Sequence, residues 1–187
     1  MKKILLQIKN ISMSPTASWD DIKTQVLTER ELLSNYLVFI AAIPAISGLL
    51  GLVFMGENFF RAVFWAILFF GFALLGVYLT AKTMNFLATS FNAEQNTQTY
   101  FKLTAFSATP IFLSGIFFLI PPIYGLSLLG LYGFYLFWIG FHRIVICPRE
   151  EQFNFFFISL IAYFLIIILI FLLPALISGT AVYQGIL

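Results

Sequence analysis

Apolar residues come in long unbroken runs along this chain, interrupted by short polar stretches. Five runs each approach the roughly 20 residues needed to cross a bilayer core. They lie at about 36–55, 60–80, 103–120, 123–141 and 155–178. The links at Gly56–Phe59 and Pro121-Pro122 are so short that spans one and two, and spans three and four, must form antiparallel hairpins. Before the first run the pattern changes. Residues 1–34 form the one polar territory of any length and read as a cytoplasmic segment, leaving 35–187 as the transmembrane domain. Within the segment, Ile4, Ile8 and Ile11 follow helical spacing until Ser14-Pro15. Ser18 followed by Asp21 then reads as a capping-box helix start. Beyond it Trp19, Ile22, Val26 and Leu33 line one face, an amphipathic helix suited either to the headgroup layer or to docking on the bundle. The expected fold is all-α: a polytopic membrane bundle of five transmembrane helices, preceded by an amphipathic helix.

Composition agrees with the pattern. Of 187 residues, 61% are hydrophobic, 19% aromatic and 10% charged, and mean hydropathy is +0.98. Soluble domains carry about 25% charged residues. The net charge of +2 is too small to argue for nucleic acid. One cysteine, Cys147, excludes an internal disulfide. The apolar run Ile4–Leu6 is too short for a signal-peptide core of about 7–15 residues, so the first span is expected to direct insertion.

Orientation follows from the basic residues. With five spans, the N-terminus and the loops at 81–102 and 142–154 share one side, which holds Lys2, Lys3, Lys9, Lys23, Arg30, Lys82, Lys102, Arg143 and Arg149. The other side has Arg61 alone. This places the N-terminus in the cytoplasm. Trp19, Tyr36, Arg61, Trp65, Tyr78, Trp138, His142 and Arg143 are then expected at the membrane interfaces.

The candidate chemistry is sparse. Spans one, three and five repeat a proline followed by Ser-Gly, as Pro44…Ser47-Gly48, Pro110…Ser114-Gly115 and Pro174…Ser178-Gly179. Pro44 and Pro110 lie about 12 Å into their helices at 1.5 Å per residue, whereas Pro174 lies near the far end. Each proline frees the carbonyl four residues back, here Ile40 and Phe106. Beside Ser47, Ser107, Thr109 and Ser114 these carbonyls define a layer with two readings: a ligand cavity of the kind transporters place at mid-membrane, or helix packing through small residues. Gly130 with Gly133 fits the packing reading. No ionisable residue falls in the middle of a span, which argues against an ion-coupled pump. His142 and Cys147 lack a third metal ligand, and no phosphate loop, zinc-protease signature or nucleophile elbow is present. No catalytic residue, metal or cofactor is expected.

Pro15, Trp19, Glu29 and Glu31 lead into YLVFIAAIPAISGLLG; AFSATPIFLSGIFFLIP and GLYGFYLFWIGFHRI follow before the last apolar span. In this arrangement the sequence is similar to the Ypt/Rab-interacting (Yip) family of five-span membrane proteins, specifically its small bacterial branch. Residues 41–51 and 105–121 carry the most specific part. The resemblance implies a five-helix fold with a cytosolic N-terminus, in a bacterial inner membrane. Eukaryotic relatives associate with prenylated Rab GTPases, but their Asp-Leu-Tyr-Gly-Pro motif is missing here, where the chain reads SPTASWDDIK. GTPase binding is therefore not expected. A non-enzymatic scaffold or adaptor is, with the bilayer, other membrane proteins or a second copy as partners. The alternative is a transporter, channel or lipid-translocating protein with its site between spans one and three.

Overall fold

The computed structural model describes residues 2–179, and within them every regular element is helical. Two short helices, α1 (Lys2–Met13) and α2 (Pro15–Thr24), precede five long ones. The latter are α3 (Glu29–Phe54), α4 (Phe59–Phe91), α5 (Thr97–Leu119), α6 (Pro122–Ile144) and α7 (Arg149–Ser178), each long and apolar enough to cross a membrane. Helices α4 and α7 extend well past the expected apolar spans because polar helical turns continue them on the N-terminal side of the molecule. The connections there shrink accordingly, to 92–96 and 145–148. Asn92, at φ 50°, takes the left-handed turn that ends α4.

Helix α4 forms the spine, packing on α3, α5 and α7. Its inward face is mostly small: Ala62, Ala66, Ala73, Gly76, Ala81 and Ala88 are all buried. Small side chains let helix backbones approach where lipid supplies no hydrophobic drive. A Cβ on Gly76 would run into Ile170 of α7.

Among the five long helices, α3 carries a π-helical turn at Leu33–Leu37, and α5 and α6 depart further from regular α-helix. In α5 the helix stops at Ser107 and restarts at Thr109, with Pro110 in its first turn, then tightens to 3-10 geometry over Gly115–Leu119. In α6 the first half, Pro121–Leu131, is 3-10 helix with Ile123 off helical geometry. Runs of 3-10 helix longer than three or four residues are uncommon, and irregular backbone at membrane depth survives where protein or a cavity surrounds it.

The N-terminal segment differs from the sequence expectation. Ser18 lies inside α2, which begins at Pro15 after Ser14, and no side chain caps it. The capping box stands one element later: Thr28 Oγ1 accepts from the Glu31 amide at 3.2 Å, and Glu31 Oε2 accepts from the Thr28 amide at 3.0 Å. That box starts α3 at Glu29, seven residues before the expected span. Nor does α2 float in a headgroup layer. It lies along α6, and Trp19 is 0% exposed. The Tyr132 hydroxyl donates to the Ser12 carbonyl at 3.1 Å. Since Tyr132 is twelve residues before Ile144, the α1–α2 corner reaches about 18 Å up α6 from its end at 1.5 Å per residue.

Candidate functional site

The proline layer is where α3, α5 and α6 meet. Pro44 and Pro110 are both buried. Gly115 of α5 lies directly on Pro44 of α3, so a Cβ there would overlap the ring. Gly130 lies on Ser114 and Gly133 on the Ser107 carbonyl and Ile111, which draws α6 onto α5. Two of the four hydroxyls in this layer are bonded within the protein. Thr109 Oγ1 meets the Tyr36 hydroxyl at 2.8 Å, and Ser114 Oγ donates to the Ile111 carbonyl at 2.9 Å. Ser47 is buried beside Gly48. Ser107 Oγ is buried without a protein partner. The layer thus holds close helix contacts at Pro44, Gly115 and Ser114, while Gly48 and Ser114 also face a cavity on its far side.

On the N-terminal side of this layer the interior is filled with aromatic rings. Phe106 meets Tyr36 at 4.8 Å between centroids and Trp19 edge-on at 6.2 Å. Phe137 stacks on Tyr163 at 4.8 Å, and Phe141 packs against Phe155 and Phe156 at 5.3 Å each. All eight of these rings are essentially inaccessible.

On the other side the bundle is hollow. A cavity of about 480 Å³ opens between all five long helices, with Gly48, Trp65, Ile111, Ser114, Phe118 and Phe134 in its wall. The 3-10 half of α6 forms one side through Tyr124, Gly125, Ser127 and Gly130, and α7 contributes Ile167 and Phe171. Helix α6 approaches α5 at Gly130 and Gly133, where Cβ atoms are missing. Its 3-10 turns toward Pro122 leave space beside Gly125, where an added Cβ would meet nothing within 4 Å. Sequence reasoning found Gly48 and Ser114, which line this space, but missed Trp65, Phe118, Gly125 and Phe134 as its wall. The one available signal was the glycine and proline density of 121–133.

The expected interface residues divide. Tyr78 and Trp138 are exposed on the bundle surface, Trp138 at 48%. Lys82 Nζ stands 5.2 Å over the Tyr78 ring. His142 Nδ1 bonds the Trp138 carbonyl at 2.8 Å, and Arg143 pairs with Asp20 at 3.1 Å. Arg61 is exposed at the opposite end near Glu57. Three of the aromatic positions point into the protein. Trp19 fills the gap left by Gly140 on α6 and reaches Phe106. Tyr36 is 2% exposed: it sits on a π-helical turn, Leu33–Leu37, whose extra residue per turn shifts the side chains that follow. Trp65 is 4% exposed, lying over the bare backbone of Gly48 and stacking on Phe69 at 5.1 Å.

Lys102 also ties the N-terminal segment to the bundle. Its Nζ donates to the carbonyls of Ile22, at 3.3 Å, and Gln25, at the C-terminal end of α2. A cation there complements the helix dipole and the last free carbonyls. Cys147, in the short link between α6 and α7, has its Sγ 3.7 Å from the Phe91 carbonyl. Burial, and then the nearby Glu151, push its thiol above the usual range. No group of three His, Cys, Asp or Glu side chains suited to a metal occurs among the described residues.

The Yip1 domain family matches residues 9–172, most of the chain. This protein belongs to the Yip1 domain family. It is 27% identical over 157 residues to the inner membrane protein YohC of Escherichia coli strain K12, a match covering 74% of this chain and 80% of YohC. YohC of Escherichia coli O6:H1 matches equally. No solved structure matches. As a Yip1-domain protein with five membrane-length helices and an inner-membrane relative, the chain is a multi-pass protein of the inner membrane. Neither the family description nor the relative's name refers to an enzymatic activity.

Proposed function

We propose that this Yip1-domain protein is a non-enzymatic membrane scaffold that holds lipid between its helices. The cavity of about 480 Å³ between Gly48, Trp65, Phe118 and Phe134 carries this reading. Its volume falls in the range of about 300–1,000 Å³ typical of small-molecule sites. In a bilayer, hydrocarbon is the abundant occupant for such a wall. Its floor is the proline layer, sealed by Gly115 on Pro44 and Gly130 on Ser114, with the aromatic packing beyond. A space closed at one end favours retention over passage. By the basic-residue bias, the closed end faces the cytoplasm and the hollow end the far leaflet.

Lipid extraction from the purified protein, followed by mass spectrometry, tests the reading. Protein taken up in mild detergent should retain lipid in stoichiometric amount. Gly125→Leu should reduce it, because the added side chain enters empty space. A protein that keeps no more lipid than its Gly125→Leu variant would contradict the proposal.

A second reading, lipid translocation, draws on the irregular backbone of α5 and α6, since 3-10 segments mark hinges in other helices. It requires the Pro44–Gly115 contact to separate. Cross-linking that contact through a cysteine pair at 44 and 115 should abolish scrambling in liposomes if translocation is the activity. It should leave lipid retention intact if the protein only binds.

A further inference from the structure

The outer end of the cavity adjoins a polar recess formed by Leu52, Met55, Gly56, Glu57, Asn58 and Arg61. Leu52 lines both spaces. Arg61 is one helical turn before Trp65 on α4, so the two side chains share a face, the cation toward the membrane surface and the indole in the cavity wall. From this juxtaposition, and resting on the lipid-holding reading above, we propose that the site selects an anionic phospholipid, with its phosphodiester at Arg61 and one acyl chain in the cavity.

Four features of the recess suit that headgroup. Arg61 is exposed by more than half, and its guanidinium presents five N–H donors, a geometry matched to phosphate oxygens. It is also the basic residue at that end of the described bundle. Asn58 caps α4 with its Oδ1, which accepts from the Phe60 amide at 3.0 Å and the Arg61 amide at 3.4 Å; the remaining amide donors are on Nδ2. The start of α4, a long helix, adds the positive end of its dipole. Among the described residues, one group opposes an anion. The Glu57 carboxylate lies 4.0 Å from Arg61 Nη1 and competes for the same guanidinium. The cavity below is lined by rings and aliphatic side chains, with Ser114 and Ser127 among them, which suits a chain and not a second charge.

Tryptophan quenching separates the claims. The chain has three tryptophans. Trp138, half-exposed on the outside of the bundle, is replaced by Phe; Trp19 is buried in the inner half. In the Trp138→Phe protein, Trp65 therefore reports on the cavity. The protein is reconstituted in vesicles containing either phosphatidylglycerol or phosphatidylcholine brominated at mid-chain. Quenching should reach half its maximum at about fivefold lower mole fraction of the anionic lipid, the preference that one basic residue confers. Arg61→Gln should remove that preference while quenching persists, and Arg61→Lys should retain most of it. Adding Trp65→Phe should abolish quenching by either lipid. Equal quenching by both lipids, unchanged by Arg61→Gln, would overturn the headgroup assignment and leave the lipid-holding reading standing. No quenching beyond the Trp65→Phe control would overturn both.

Discussion

At the scale of single residues, the bundle depends on missing side chains as much as on present ones. Gly115 and Gly48 admit the Pro44 ring and the Trp65 indole where any Cβ would overlap them. Overpacking a filled interior costs about 1–3 kcal/mol. Gly115→Leu should therefore lower the thermal unfolding midpoint in detergent, while Gly71→Leu, at a position open for 4 Å around, should leave it unchanged. Tyr36→Phe removes the hydroxyl that meets Thr109. Hydrogen bonds between membrane helices average about 0.6 kcal/mol, so a small but measurable drop is expected by the same assay. These contacts were half legible in the sequence. Pro44, Gly48, Pro110 and Gly115 could be read as a layer because prolines at equal depth and Ser-Gly pairs are local patterns. That Trp65 lies over Gly48 could not be read, since it joins two helices whose rotation about their axes the hydropathy of a fully apolar span does not fix.

At the scale of elements, the unexpected arrangement is α2, which docks along α6 through one large side chain. Truncating a buried tryptophan costs about 3–5 kcal/mol, whereas the half-exposed Asp20–Arg143 pair is worth at most about 1 kcal/mol. Trp19→Ala should thus release α2 and expose the 25–28 link to limited proteolysis, and Asp20→Asn should not. Both halves of that contrast can be read on one gel. Nearby, the Cys147 thiol is held above its usual range by burial and by Glu151. Thiolate is the reactive form, so less of it is present at neutral pH than for a free cysteine. Maleimide labelling should be slower than for a reference peptide and should accelerate as pH rises. Five spans and both hairpins followed from run length and short turns, which are one-dimensional signals. The helix start at Thr28 did not, because Ser18 offered a competing capping pattern and the tertiary contact of Trp19 overrode it. The 3-10 geometry of 121–131 had a cue in its prolines and glycines but no period to reveal it.

At the scale of the whole molecule, the interior divides into two halves. The half nearer α1 and α2 is filled by Phe106, Phe137, Phe141 and Tyr163. The half nearer the two short turns is hollow because α5 and α6 change to tighter helical geometry there, and because α6 leaves open space beside Gly125. The proposed retention at one side of the membrane, and the headgroup preference proposed for Arg61, both rest on this division. The measurement that bears on it most directly is an experimental density map of the protein in lipid nanodiscs. Continuous, chain-like density between Gly48, Trp65, Phe118 and Phe134, ending toward Arg61, is the expected result. A collapsed space with α6 packed onto Trp65, or a water-filled one continuing past Pro44 and Gly115, would contradict it.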